Sequence, residues 1–228
     1  MLNNSQQELP LKYFHSVSSH RGQAPNAEIF NGEVEYALVL KESPICAFLS
    51  LRGDPGDAGF CAAVKDVLEL KLSTRGYYHC NSQSSIYWLG PDEWLLVSKI
   101  DASVLEARLR EAMSGHISIV DVSGGQTLVN LRGGPMAIDS VLKKSCIYDL
   151  SGWPNAGSGK GRCAQTTFAK ASALVSNRSD GSFDLIIRRS FADYIALWML
   201  DAGREFGFRI EVVNYPCPVF RILNFICN

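Results

Sequence analysis

Two short stretches, Leu51-Arg-Gly-Asp-Pro55 and Leu131-Arg-Gly-Gly-Pro135, stand eighty positions apart, and each ends a strand-like run and opens a helix-like one. Ahead of the first lies Cys-Ala-Phe-Leu-Ser-Leu (46–51); behind it Phe60, Val64, Val67, Leu68 and Leu72 share one side of a helix predicted over Asp57–Leu72. Two strands follow around Gly90-Pro-Asp-Glu93, then an amphipathic helix with Leu105, Leu109 and Met113 in register. The second copy runs in the same order: a strand to Leu131, a helix over Met136–Leu150, a hairpin and a final helix within Gly161–Gly207, and a closing strand from Phe208 to Val213. A repeat of this length and order predicts an α+β fold of two tandem ferredoxin-like βαββαβ halves.

Within Gly161–Gly207 the boundaries carry their own signals. Ala164–Val175 reads as one strand, stopped by the turn cluster Asn177–Gly181 with its Asp-Gly step. Phe183, Leu185 and Ile187 then alternate with Asp184, Ile186 and Arg188, so one side of the next strand is apolar and the other mixed. Ser190 is placed as an N-cap with Asp193 three residues on, and Gly203 as the helix stop. Between them Phe191, Tyr194, Ile195, Trp198 and Ala202 recur at helical spacing, which makes them core or subunit-interface residues.

This pattern divides the chain into an extended N-terminal arm (1–30), a first βαββα half (31–117), a second βαββαβ half (118–214) and an apolar C-terminal tail (215–228). The arm has no sustained period; it is either disordered or laid across a partner through Leu9, Leu11, Tyr13 and Phe14. Charge excludes one class of partner, because 22 Lys plus Arg against 23 Asp plus Glu leave no basic excess for nucleic acid. Seven cysteines form no CxxC pair, and the chain opens without a charged-then-apolar leader, which together predict reduced thiols in the cytoplasm. The longest apolar run, Tyr194–Leu200, is too short for a membrane span.

No motif in the chain carries a recognisable chemistry. The glycine-rich stretch Gly152–Gly161 fails as a phosphate-binding P-loop, since Lys160 is followed by Gly161 and Pro154 occupies the required glycine position. It reads as a flexible or partner-ordered loop. His15, His20, His79 and His116 are scattered, with His79-Cys80 the one adjacent pair of metal-ligand types. No Gly-x-Ser-x-Gly elbow is present, and turn formation accounts for Asp92-Glu93. Arg188 and Arg189 point to opposite sides of a strand, which argues against a two-armed anion clamp. No catalytic, cofactor-binding or metal-binding residue is therefore assigned.

Three passages together are similar to one family: YWLGPDEWLLVS (Tyr87–Ser98), VDVSGGQTLVNLRGGPMAIDSVL (Val120–Leu142), and GRCAQTTFAKASALV with RRSFADYIALWMLDAGREFG (Gly161–Val175 and Arg188–Gly207). They resemble the gamma subunit of heterotetrameric sarcosine oxidase, over about Cys46 to Gly207. The resemblance implies a fold like the folate-binding domain of the glycine cleavage T-protein and related aminomethyltransferases. It also implies assembly with alpha, beta and delta subunits that carry FAD, FMN, NAD, zinc and tetrahydrofolate, none of them bound by this chain. The complex would oxidise sarcosine to glycine, with hydrogen peroxide and a one-carbon unit passed to tetrahydrofolate. Alternatives are a subunit of N-methylglutamate dehydrogenase or a free-standing folate-binding protein. The tail Tyr215–Asn228 departs from the family pattern; its apolar residues are expected to pack on another subunit. An aromatic surface around Trp88, Trp94, Trp153 and Trp198 is likewise expected to face a partner.

Overall fold

The computed structural model describes residues 38–44 and 46–211, together with Leu11 and the backbone of 28–30 and 33–35. The C-terminal tail and most of the N-terminal arm lie outside the described residues. β1 (Glu28–Phe30) and β2 (Glu33–Glu35) make a small antiparallel pair of their own. All other strands among the described residues belong to one eleven-stranded sheet.

Its first half contains β4 (Ala47–Arg52), α1 (Ala58–Leu68), β5 (Tyr77–Cys80), β6 (Ser84–Gly90), β7 (Glu93–Ser98), α2 (Ala102–Ala112) and β8 (Ser118–Asp121). The second repeats the order with β9 (Gln126–Gly133), α3 (Pro135–Ser145), β10 (Lys160–Phe168), β11 (Ala171–Asn177), β12 (Phe183–Arg188), α4 (Ala192–Ala202) and β13 (Phe208–Glu211). Across the sheet the first half reads β8-β4-β7-β6-β5. The second reads β13-β3-β9-β12-β11-β10, with β3 (Leu38–Glu42) inserted between β9 and β13. Without that insertion, each half has the ferredoxin-like order with one extra strand at the inner end. The halves join where β5 pairs antiparallel with β10.

Strand pairing moves the line between the halves. The boundary expected at 117/118 puts β8 in the second half, yet β8 pairs with β4, while β3, which the same division puts in the first half, pairs with β9 and β13 in the second.

The sheet folds over on itself at the β5–β10 seam. One apolar core lies between the first half's strands and its helices, built on Leu49, Leu51, Phe60, Trp94 and Leu105. A second lies between the other half and α3 and α4, built on Leu131, Val141, Leu185, Ile195 and Met199. A third core joins Phe48, Leu95 and Val97 of the first half to Leu174 and Ile186 of the second. Strands β7 and β12 are separated in the sheet by β6, β5, β10 and β11, so contact between them requires their inner faces to oppose. The result is four layers: helices, sheet, sheet, helices.

Local chemistry sets the helix ends. The Asp57 carboxylate accepts from the Gly59 N–H at the start of α1, and Asp101 accepts from Ser103 and Val104 at the start of α2. Pro135 opens α3, where its missing N–H costs nothing. Glu69, at φ 56°, ends α1 before the predicted Leu72.

Two local expectations are corrected. Ala164–Val175 is two strands, not one: the chain reverses at Ala169 and Lys170, with φ 47° and 71°, and neither residue is a glycine or asparagine that would announce the turn. Ser190 does not cap α4; Arg189–Phe191 forms a 3-10 turn, and the helix begins without a side-chain cap. The buried face of α4 is made of Ala192, Ile195, Ala196, Met199 and Ala202, with Trp198 half-buried against the same core, while Phe191, Tyr194 and Leu197 stay exposed.

Besides the backbone of β1, the arm contributes one described residue. Leu11 is 1 % exposed within the second half's own core, and its backbone N–H donates to the Glu42 carboxylate at 3.0 Å.

Candidate functional site

Alternation along the strands decides what faces the seam between the two sheets. On β12, Leu185 and Ile187 point to the helices, so Asp184 and Ile186 point inward. Cross-strand pairing then aligns two inward rows. Leu128, Ile186 and Leu174 pair in sequence across β9, β12 and β11 and form the apolar part of the seam. Two residues along, Lys41, Asn130, Asp184, Ser176 and Cys163 pair in sequence across β3, β9, β12, β11 and β10.

That second row is polar and largely buried; Asp184 is 3 % exposed. Burying it is tolerable only if its groups are satisfied. Asn130 Nδ2 donates to Asp184 Oδ1 at 2.8 Å and to Ser182 Oγ at 3.0 Å. Arg178 Nη1 donates to Asp184 Oδ2 at 3.0 Å, and Ser182 Oγ donates to Asp180 at 2.6 Å. Burial pushes the Asp184 carboxyl above its ordinary range, with Arg178 and Asn130 pulling it back. The nearby carboxylate in turn raises Arg178.

Lys41, Asn130 and Asp184 of this row line a recess of about 580 Å³ at one mouth of the seam. Its walls come from both halves: Ser43, Pro44 and Cys46 between β3 and β4, the turn Asn81–Ser84, Ser98 and Lys99 at the end of β7, and Arg178 and Asp180 from the β11–β12 hairpin. Asn81 shapes its turn by accepting from the Gln83 and Ser84 N–H groups. Lys99 Nζ reaches the Ser82 carbonyl at 2.8 Å.

Nucleophilic chemistry is disfavoured here. Burial raises the thiols of Cys46 and Cys80, and pushes Cys163 up to about 12, so none offers a thiolate near neutral pH. Tyr78 is likewise pushed up to about 12, and its hydroxyl donates to the Asn177 carbonyl at 2.7 Å. Donors and fixed charges held in place make this a site suited to binding.

Residues weighed from sequence fall elsewhere. His79 hydrogen-bonds the Lys71 carbonyl, His116 is exposed, and His15 and His20 lie outside the described residues. Among the described residues no three His, Cys, Asp or Glu side chains converge as a metal site would require. Asp92 pairs with Arg52 at 3.0 Å on the surface. The glycine-rich Gly152–Gly161 loop is tied down by its own chain, against the expectation of a flexible or partner-ordered segment: Asn177 Nδ2 donates to the Pro154 carbonyl, Ala156 N–H to Arg178, and Cys80 N–H to Gly159.

All four tryptophans make contacts within the chain, and Trp94, which is buried, departs from the expected partner-facing surface. Trp94 is buried with its Nε1 on the Ser73 carbonyl, and Trp198 Nε1 donates to Ser145 Oγ. Trp153 stacks on Phe183 and lies under Arg162, while Trp88 packs on the first half's core. Exposed apolar surface comes instead from Met136 (79 %) and Ile147 (83 %), with Tyr148, Phe191, Tyr194 and Leu197 less so. Sequence reasoning passed over Asp184 and Asn130, whose signal is a polar residue flanked by Val129 and Leu131 or by Phe183 and Leu185 in strands otherwise rich in apolar residues.

Comparison with known proteins agrees with this architecture. Residues 52–205 match the model of the sarcosine oxidase, gamma subunit family. The sarcosine oxidase subunit gamma of Corynebacterium sp. strain U-96 is 29 % identical over 193 residues, 84 % of this chain and 91 % of that one. That of strain P-1 is 28 % identical over 178 residues, covering 77 % and 85 %. Among solved structures, a chain of the heterotetrameric sarcosine oxidase of Corynebacterium sp. U-96, in complex with pyrrole 2-carboxylate, superimposes with a TM-score of 0.70 at 26 % identity, covering 88 % of this chain and 96 % of that one. The glycine cleavage system aminomethyltransferase T of Bartonella henselae shares the fold at a TM-score of 0.52 and 15 % identity, over 91 % of this chain and 59 % of that one. With more than half of its length under the family model, this chain belongs to the sarcosine oxidase gamma subunit family.

Proposed function

We propose that this chain is the gamma subunit of a heterotetrameric sarcosine oxidase and acts in it by contact, without catalytic residues of its own. The observation that carries this is end-to-end correspondence, over 88 % of this chain and 96 % of the other, with a chain of such an assembly. Two features support a contact role: the buried thiols and the fully occupied Asp184 carboxylate offer no reactive group, and apolar side chains such as Met136 and Ile147 stand in solvent on the helical side of the second half.

In this reading alpha, beta and delta subunits are the partners and hold FAD, FMN, NAD, zinc and tetrahydrofolate. The assembly converts sarcosine to glycine, hydrogen peroxide and a one-carbon unit for tetrahydrofolate. The described cysteines Cys46, Cys61, Cys80, Cys146 and Cys163 are all free thiols, which suits the cytoplasm. Affinity capture of the tagged full-length chain from its native cell is the test. Yellow flavoprotein subunits that oxidise sarcosine should come with it; a chain that arrives alone, or with a flavoprotein inert towards sarcosine, rules the reading out.

A further inference from the structure

We infer that the recess at the mouth of the seam is a binding site for a small anion rich in hydrogen-bond acceptors, of the phosphate or polycarboxylate class. Three cations line it from three separate parts of the chain: Lys41 from β3, Lys99 from the end of β7, and Arg178 from the β11–β12 hairpin. Its two acidic side chains are already committed. Asp184 has one oxygen on Asn130 and the other on Arg178, and Asp180 is taken up by the Ser182 hydroxyl and N–H. Lys41, Lys99 and Arg178 against Asp180 and Asp184 leave the recess donor-rich with a formal charge of +1, although the chain as a whole carries a net charge of -1.

Size and shape fit the same class. A volume of about 580 Å³ lies within the range of small-molecule sites, roughly 300–1,000 Å³. The partly enclosed setting between two sheets strengthens charge–charge attraction relative to open surface. Serine hydroxyls at positions 43, 82 and 85 add neutral donors matched to phosphate or carboxylate oxygens. Because the lining comes from both halves, a bound anion bridges them across the seam. This assignment stands apart from the assembly reading, since it concerns groups within one chain.

The test is isothermal titration of the full-length chain, with whatever subunits accompany it, against inorganic phosphate and, separately, citrate. Saturable binding of at least one is expected, and the preferred one names the class. The exposed pair Lys41→Met with Lys99→Met should weaken it by about tenfold or more, the loss of one or two charge-assisted hydrogen bonds. Lys65→Met, on α1 away from the recess, should leave it unchanged. The single change Lys99→Gln serves if the double variant folds poorly. Absence of saturable heat with both anions up to about 10 mM, well above the range of useful sites, overturns the inference, and so does equal affinity in the recess variants.

Discussion

Glu42 should make the stability of this chain fall as pH rises, against the usual behaviour of a carboxylate. Its side chain is fully buried and is met by two donors, the Leu11 N–H at 3.0 Å and the Thr127 hydroxyl at 2.9 Å. Hydrogen bonds to a charged group contribute about 1.5–3 kcal/mol each, while the effective penalty for burying an ion is several kcal/mol. Burial wins, and the carboxyl is raised above its ordinary range, with Thr127, Leu11 and the charge of Arg189 opposing the shift. Between the unfolded and the folded pKa the native state therefore holds a proton that the unfolded chain has lost. The contribution is fully present below the unfolded value and is lost as pH rises through the folded one, at about 1.4 kcal/mol for each unit of separation. Glu42→Gln keeps a polar group facing both donors and removes the charge, so urea unfolding at pH 4 should give near-equal stability for the two proteins. At pH 8 the variant should be the more stable of the two. Glu42→Leu, which strands two donors, should cost about 2–4 kcal/mol at either pH. Parallel stability curves for wild type and Glu42→Gln from pH 4 to 8 would refute the reasoning.

Other perturbations test other parts of the architecture. Gly161 sits where β10 meets β5, and an added Cβ would lie 2.5 Å from the Tyr78 ring and 2.8 Å from Ala156, so Gly161→Ala should lower stability by about 1–3 kcal/mol in a thermal melt; an unchanged midpoint would mean the seam yields freely. Lys170, exposed at φ 71°, is strained at the β10–β11 turn, and Lys170→Gly is expected to stabilise by up to about 1 kcal/mol; a lower melting temperature would contradict that. Ile147→Asp removes the most exposed large apolar side chain among the described residues and should change chain stability by less than about 0.5 kcal/mol, yet reduce recovery of partner subunits on affinity capture. Equal recovery would place Ile147 outside the assembly interface.

How far the sequence reveals this molecule depends on the kind of signal. The duplicated order was legible because the strands and helices carry clean periods: Phe60, Val64 and Leu68 on α1, Leu105 and Leu109 on α2, and Leu185 with Ile187 on β12 all pack where their spacing places them. The turn at Ala169-Lys170 was not, because both residues adopt positive φ without the glycine or asparagine that usually marks it. Spacing found the face of α4 only in part, since a helix close to a sheet favours small side chains there and leaves Phe191 and Tyr194 outside. The recess was the hardest to foresee. Asn130 and Asp184 become neighbours only through the pairing of β9 with β12, and their burial follows from a second sheet closing over them. Neither fact is written in local sequence. Leu11 was among the candidate anchors of the arm, but it serves the chain's own core rather than a partner's.

A duplicated body would ordinarily present twin rims, each able to recruit the same neighbour. Here the insertion of β3 breaks that equivalence. One rim ends in β8, held antiparallel by β4, and the other in β13, held parallel by β3. A neighbouring polypeptide that recognises the backbone pattern of one rim finds a different pattern at the other. Among the described residues the two rims are therefore not interchangeable, and the duplicated body has a polarity.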